Sequence, residues 1–299
     1  MAALNNIFWK FKRVALMSTK GGVGKTTNSL HIGYQLKKKH GLTFQYIDAD
    51  VQESGTNHCA SRENLLADCG IVIKDENDSS VEVKEEEFKF ERKRPIPDDV
   101  VKMVKRLYSK QKPYVLPNII KKSGFKSYFS QELSKKDSYD GFITDTQGAD
   151  SRIGREVMTS SDIVIIPVNP SGMVVAELKK LIDVVMEARG FNPDFRVFIV
   201  FSRVVSSAKK IAREHIKFVN EMLDDYFASE YGITKEEAMI HVCETVITER
   251  QEIYNHVDTG LNAFEMSKGN RIDAEIQFDT LLDEIEYLYD LINIEQEVA

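Results

Sequence analysis

The residues best suited to chemistry form one glycine-rich segment, residues 18–27, with the sequence STKGGVGKTT. Glycines let backbone N–H groups approach phosphate oxygens closely, and a helix that begins behind them favours negative charge. A lysine can then reach the β- and γ-phosphates of a nucleotide, and a hydroxyl can bind Mg²⁺. We therefore predict a nucleotide-binding loop formed by Lys20, Gly21, Gly22, Val23, Gly24, Lys25, Thr26 and Thr27.

The loop departs at one position from the usual phosphate-binding pattern, G-x-x-x-x-G-K-[ST], and carries an extra lysine within it. Thr19 stands where that pattern has its first glycine, and an additional lysine, Lys20, precedes the double glycine. The local context is nevertheless that of a phosphate-binding loop, because an apolar strand precedes it and a helix is predicted after it.

Strands and helices alternate on both sides of this loop. A strand over Val14–Met17 is followed by a helix to about Lys39, which Gly41 ends. The further strands predicted are Thr43–Ile47, Tyr139–Thr144, Asp162–Val168, Phe195–Phe201 and Ile240–Ile247. The helices predicted between and after them are one entered after Pro97, one near Tyr128–Lys135, Met173–Ala188, Ser207–Phe227 and a last one from about Asp273. This order predicts an α/β fold, a doubly wound and mostly parallel sheet flanked by helices.

The 299 residues are expected to form a single domain, with a charged insertion at about 62–135. Arg92–Lys136 holds thirteen Lys and Arg residues against three acidic ones, which suits either a nucleic-acid contact or a solvated surface. Ile272–Ala299 holds nine acidic residues and no Lys or Arg. Three scattered cysteines, no apolar run of membrane-spanning length and no secretory leader predict a cytoplasmic protein.

Several segments together resemble one family. The run KGGVGKTT is similar to the deviant Walker A loop of the ParA/MinD family of P-loop ATPases. IDADVQ, residues 47–52, resembles that family's D-x-D-P-Q motif with Val51 in place of proline, and FITDTQG, residues 142–148, resembles its Walker B strand. TVITER, residues 245–250, followed by Gly260 and Glu265, carries a weaker likeness. The resemblance covers most of residues 12–293 except the insertion.

The resemblance implies ATP and Mg²⁺ as cofactors and a weak intrinsic ATPase activity. Lys25 would bind the nucleotide of its own subunit, while Thr26 and Asp145 would hold Mg²⁺. Lys20 would cross a dimer interface to the partner's nucleotide, and Asp48 would orient the attacking water, so these two are the catalytic candidates. For both aspartates an alternative stays open, because Asp at a strand end often caps a helix or a turn.

Among family members the chain resembles the small ParA-type partition ATPases. That likeness implies an ATP-dependent homodimer that binds DNA non-specifically, associates with the nucleoid, and is released when a ParB-type centromere-binding adaptor stimulates hydrolysis. Non-specific DNA binding requires clustered cations. The candidates are Lys102, Lys105, Arg106, Arg203, Lys209 and Lys210.

Three other classes compete with this interpretation. A positioning ATPase of the same family would act on a membrane or a protein assembly, but the acidic C-terminal residues would repel anionic lipid, so we expect no membrane partner. A metal-carrying or electron-transfer relative would need paired cysteines, and none fits. A tyrosine-kinase relative would need a cluster of C-terminal tyrosines, of which only Tyr287 and Tyr289 are present.

Overall fold

A seven-stranded parallel sheet organises the described part of the chain. The computed structural model describes residues 9–18, 20–71, 98–110, 114–135, 139–148, 150–170, 174–249, 259–265 and 268–298. In these ranges the strands are β1 (Arg13–Leu16), β2 (Phe44–Ala49), β3 (Asn118–Ile120), β4 (Gly141–Thr146), β5 (Ile163–Val168), β6 (Arg196–Val205) and β7 (Ile240–Glu249). They lie in the order β3-β2-β4-β1-β5-β6-β7, and each neighbouring pair is parallel.

Helices connect and cover the strands. They are α1 (Lys25–His40), α2 (Ser54–Asp68), α3 (Asp98–Tyr108), α4 (Phe125–Ser134), α5 (Arg152–Thr159), α6 (Val174–Arg189), α7 (Lys209–Glu230) and α8 (Lys268–Val298). Short 3₁₀ turns lie at Ser206–Ala208 and Ala263–Glu265. In the described part of the chain, no helix is both long enough and apolar enough to cross a membrane.

The sheet buries both of its faces, as a doubly wound fold requires. Along β1, Ala15 belongs to the core that α4 to α7 cover, whereas Val14 and Leu16 belong to the core beneath α1 and α8. Side chains alternate in this way because successive residues of a strand point to opposite faces. The predicted α/β class and the parallel sheet are confirmed.

The carboxyl ends of three strands meet beside the glycine-rich loop. β4 lies between β1 and β2, and its Asp145 is paired in register with Leu16 on one side and with Asp48 on the other. The chain leaves β1 toward β2 in one direction and reaches β5 in the other, so this edge is a topological switch point of the sheet.

Part of the predicted insertion belongs to the sheet. Within residues 62–135, β3 forms an edge strand beside β2, and Phe125 and Phe129 of α4 are buried in the core. At least β3 and α4, within the predicted insertion, are therefore integral parts of the α/β domain. Residues 72–97 of the predicted insertion lie outside the described residues.

The acidic C-terminal residues form a helix that packs against α1. Its apolar side chains, including Phe278 and Leu282, are buried beneath it. Lys38 pairs with Glu275 at 2.6 Å, and Lys39 pairs with Asp283 at 2.6 Å. The basic last turn of α1 thus meets carboxylates of α8, so part of the local negative charge is balanced within the chain.

Candidate nucleotide-binding site

The loop backbone takes conformations that favour glycine. Gly22 has φ of 77° and Gly24 has φ of 92°, both in the left-handed region. Space is also limited at Gly24, because a Cβ atom there would lie 3.1 Å from Oγ of Ser202. Ser18 steadies the start of the loop by donating a hydrogen bond from Oγ to the carbonyl of Lys20 at 2.7 Å. Thr19 lies outside the described residues.

The N-terminus of α1 is arranged to receive an anion. The helix begins at Lys25, its first turn holds no acidic residue, and Gly24 as the N-cap provides no side-chain hydrogen bond. The first N–H groups of a helix have no partner within the helix and carry the positive end of its dipole. Backbone donors and the buried Lys25 therefore converge where phosphate groups would bind.

Asp145 lies fully buried at the end of β4 and faces the first turn of α1. Its Oδ2 accepts hydrogen bonds from the hydroxyl of Thr26 at 2.5 Å and from that of Tyr46 at 3.2 Å. Burial raises the pKa of Asp145 to about 7, although the Thr26 hydrogen bond and the charge of Lys25 act in the opposite direction. Within the described residues its Oδ1 has no hydrogen-bond partner.

Asp48 is equally buried at the end of β2 and is held by its own chain. Oδ2 accepts from the backbone N–H and the hydroxyl of Thr56, at 2.8 and 2.9 Å, and Oδ1 accepts from the N–H of Asp50 at 3.1 Å. Burial raises the pKa of Asp48, and the bonds from Thr56 oppose that shift. Because Thr56 lies in the first turn of α2, Asp48 fulfils the capping role that the sequence left open.

Lys20 contacts α6 of its own subunit. Its Nζ lies 3.6 Å from Oε1 of Glu177, and both side chains are partly exposed. The two residues border a cavity of about 180 Å³ between the loop and α6, which Ile166, Leu178 and Leu181 also line. Lys20, the first residue of the predicted loop, is thus also accessible from outside the subunit.

Two residues of the site were not predicted from the sequence. The hydroxyl of Tyr46, which donates to Asp145, also lies 3.0 Å from Oγ of Ser29, so it links β2, β4 and α1. Arg203, a DNA-binding candidate, donates from its guanidinium to the carbonyl of Gly22 in the loop. In the sequence Tyr46 is indistinguishable from an ordinary core residue of an apolar strand. The contact of Arg203 with the loop is long-range, so no local sequence pattern predicts it.

The remaining basic candidates form two separate clusters. Lys102, Lys105 and Arg106 are exposed on α3, which packs on α2 near the β2–β3 edge of the sheet. Lys209 and Lys210 are exposed at the start of α7, which packs on β6 and β7 at the opposite edge. The structure does not bring these clusters together into one patch.

The chain matches a family model described as an AAA domain over residues 11–197, which is more than half of its length. It is also similar to an uncharacterized protein of Methanocaldococcus jannaschii. The two are 26% identical over 220 residues, which cover 70% of this chain and 79% of the relative.

Solved structures share the fold over nearly the whole chain. A Borrelia burgdorferi B31 protein named for plasmid partition, bound to AMPPNP, has a TM-score of 0.52 at 18% identity and covers 92% of this chain and 99% of its own. pNOB8 ParA bound to nonspecific DNA has a TM-score of 0.51 at 17% identity, and the match covers 91% of this chain and 98% of that chain. The MinD cell division protein of Aquifex aeolicus has a TM-score of 0.53 at 17% identity, and the match covers 91% of this chain and 96% of that chain.

At these identities the solved structures establish the fold, and the family model and the predicted loop agree with it. The chain belongs to the ParA/MinD-type family of P-loop ATPases.

Proposed function

We propose that this protein is an ATP-hydrolysing DNA segregation ATPase. In this proposal ATP joins two subunits into a sandwich dimer, the dimer binds DNA without sequence preference, and an adaptor of the centromere-binding type releases it by stimulating hydrolysis. The observation that carries the nucleotide part is the contact of Thr26 with Asp145 beside an uncapped helix N-terminus. The DNA part is supported by exposed basic clusters and by likeness to a ParA solved with nonspecific DNA.

The residues around Asp145 fit a magnesium ion. Oδ1 of Asp145 is buried and lacks a hydrogen-bond partner among the described groups, which is the state expected of an oxygen that a metal-bound water would contact. Hydroxyl, carboxylate and water oxygens are the ligands that Mg²⁺ prefers. Thr26 and Asp145 would hold the ion, whose charge would neutralise the phosphate oxygens, while Lys25 and the loop amides bind the phosphates.

Lys20 and Asp48 are the proposed catalytic residues. An exposed ion pair such as Lys20–Glu177 is worth about 1 kcal/mol or less, so Lys20 is readily released toward a second subunit. There it would stabilise charge on the transferring phosphoryl group, as an arginine finger does. Asp48 lies beside Asp145, and its carboxylate, with about four acceptor positions, keeps capacity to orient a water after binding Thr56 and Asp50.

The cations at the start of α7 support a surface function. Lys209 and Lys210 occupy the first turn of the helix, where the helix dipole disfavours positive charge by about 0.3–1 kcal/mol for each residue. Because these lysines do not stabilise the helix, their position supports a role in binding an external anion. DNA phosphates are such anions, and binding them in a cytoplasmic protein would place it on the nucleoid.

Dimer formation and turnover test the enzymatic part of the proposal. Sedimentation of the wild type should show a monomer with ADP and a dimer with ATP and Mg²⁺. Asp48→Ala should dimerise with ATP and not turn it over, and Lys20→Ala should bind ATP without hydrolysing it. Lys217→Ala, an exposed lysine on α7, is the matched control and should behave as wild type.

A wild type that stays monomeric with ATP and hydrolyses none of it contradicts the proposal. ATP-dependent dimers that bind no DNA would instead indicate a positioning ATPase of the same family, acting on a protein assembly or a membrane.

A further inference from the structure

Arg203 occupies a strained position at the end of β6. Its φ is 57°, in the left-handed region that a residue with a long side chain rarely adopts. The register between β6 and β7 shifts between Ser202 and Val204, so Arg203 is the additional residue of a β-bulge. Bulges beside functional sites redirect a side chain, and strained backbone persists where the surrounding contacts hold it.

The guanidinium of Arg203 joins the end of the sheet to the nucleotide loop. Its Nε and Nη2 donate to Oε1 of Glu249 at 3.2 and 2.5 Å, and its Nη1 donates to the carbonyl of Gly22. Glu249 is the last residue of β7, and its side chain is only 24% exposed. The carboxylate therefore fixes one side of the guanidinium fork, and the other side holds the loop.

A second contact joins the same two elements. Nδ2 of Asn28, in the first turn of α1, donates to the buried Oγ of Ser202 at 2.9 Å. Gly24 approaches the same place, since a Cβ there would lie 3.1 Å from Oγ of Ser202 and 3.4 Å from Cγ of Arg203. The loop at Gly22 and Gly24, and the first turn of α1 at Asn28, thus rest against the end of β6.

We propose that Arg203 is a positioning residue that holds the loop in the conformation that binds phosphate, and that Glu249 fixes its guanidinium. Across a planar trans peptide, the Gly22 carbonyl and the Val23 N–H point in opposite directions, so tying down the carbonyl also sets the direction of the amide. This role rests on the proposed nucleotide binding. It assigns Arg203 to the loop instead of to DNA.

Binding of fluorescent ATP and ADP analogues to the full chain tests this role. Arg203→Gln should raise both dissociation constants by about tenfold, since hydrogen bonds from charged groups have at least that worth. Arg203→Lys should be equally impaired, because an ammonium lacks the fork that joins Glu249 to Gly22. Arg203→Gly suits the positive φ, so it should remain folded and still lose affinity. Arg213→Gln, an exposed arginine of α7, should match the wild type.

Substitution of Glu249 provides a second, independent test of the proposed role of Arg203. Glu249→Gln should weaken nucleotide binding less than Arg203→Gln, and the double variant should equal Arg203→Gln because the two side chains act as one unit.

Each other outcome overturns the inference in a recognisable way. Wild-type affinity in Arg203→Lys would show that charge suffices, and wild-type affinity in Arg203→Gln and Arg203→Gly would remove the role altogether, even if thermal stability falls. Unchanged nucleotide affinity with weaker DNA binding at saturating ATP would return Arg203 to the DNA contacts. A wild type that binds no nucleotide would contradict the proposed function itself, together with this role.

Discussion

The hydroxyl of Thr26 donates a hydrogen bond to Oδ2 of Asp145 over 2.5 Å, joining the first turn of α1 to the end of β4. The two residues are 119 positions apart in sequence, and both are proposed to hold Mg²⁺. Their contact, together with the unpartnered Oδ1 of Asp145 among the described groups, gives the two assignments one location.

Removing either of these residues should stop hydrolysis. Asp145→Asn and Thr26→Ala should each lower the Mg²⁺-dependent ATPase rate by about a hundredfold or more, as loss of a preorganised electrostatic contact does. Steady-state phosphate release measures the rate. Thr280→Ala, an exposed threonine of α8, is the control. Hydrolysis at more than half of the wild-type rate in Asp145→Asn would exclude this residue from the metal site.

Gly260 should tolerate no side chain. Its φ is 82°, and a Cβ there would lie 2.3 Å from the backbone nitrogen of Arg62 in α2. Gly260→Ala should therefore lower the free energy of unfolding by about 3 kcal/mol, combining backbone strain with overpacking. Gly41, with φ of 72° and open space around it, is the matched control. Gly41→Ala should cost about 1–2 kcal/mol in urea denaturation. Equal losses in the two variants would refute the close packing.

The buried ion pair of Arg62 and Glu265 should stabilise the domain only as a pair. Nη1 and Nη2 of Arg62 donate to the two carboxylate oxygens at 2.8 and 2.6 Å, and both side chains are almost fully buried. Arg62→Met should cost about 3–5 kcal/mol because it leaves a buried charge without its partner. The double variant Arg62→Met/Glu265→Met should lose less than the sum of the single variants, by about 2 kcal/mol in a denaturant cycle. Strict additivity would contradict the pairing.

His31 should make the protein less stable in mild acid. Its ring is fully buried, lies 2.6 Å through Nδ1 from the carbonyl of Thr27, and accepts through Nε2 from the N–H of Ala263 at 2.9 Å. Burial lowers its pKa from 6.5 to about 4. Between these values the unfolded chain binds the additional proton, so the free energy of unfolding falls as the pH falls from about 6.5 toward 4.

A histidine variant isolates this contribution. From pH 7 to pH 5 the wild type should lose on the order of 2 kcal/mol through His31, and His31→Gln should lose that much less over the same interval. Urea denaturation at both pH values provides the measurement, with His215→Gln on α7 as the control. Parallel pH dependence in the wild type and His31→Gln would show that His31 does not contribute in this way.

The two basic clusters should contribute separately to DNA binding. Replacing Lys102, Lys105 and Arg106 with glutamine should weaken binding of the ATP form and flatten its salt dependence, by a slope of about 0.9 for each lost phosphate contact. The pair Lys209→Gln/Lys210→Gln gives the same test at the opposite edge of the sheet. Filter binding or anisotropy across a salt series measures both. A triple variant with the wild-type affinity and slope would remove α3 from the DNA contacts.

The sequence predicted most of the sheet because its central strands are apolar runs bounded by turn residues. β4, β5 and the helix after the loop lie within a few residues of their predicted positions, and Gly41 ends α1 in the left-handed conformation, as expected. β3 was not predicted, because a strand of three partly exposed residues is too short to show a periodic pattern. The burial of α4 was also missed, since the charges around Phe125 and Phe129 concealed two core residues.

For the site, too, local sequence patterns could be predicted and long-range contacts could not. Gly22, Gly24, Lys25 and Thr26 could be identified because phosphate binding requires those residue types at a fixed local spacing. The contact between Arg203 and the loop depends on a bulge and a long-range contact, and neither has a signature in one sequence. The pairing of α8 with Lys38 and Lys39 likewise shows that the acidic C-terminal residues serve packing as well as surface charge.

Binding of the wild type to an arbitrary DNA duplex, with ATP, with ADP and without nucleotide, tests the central proposal most directly. A salt series should accompany each state, because binding through phosphates weakens steeply with salt. We expect salt-sensitive binding with ATP and Mg²⁺ and little binding in the other two states. Equal binding in all three states, or none in any state while ATP-dependent dimers form, would contradict a DNA segregation switch.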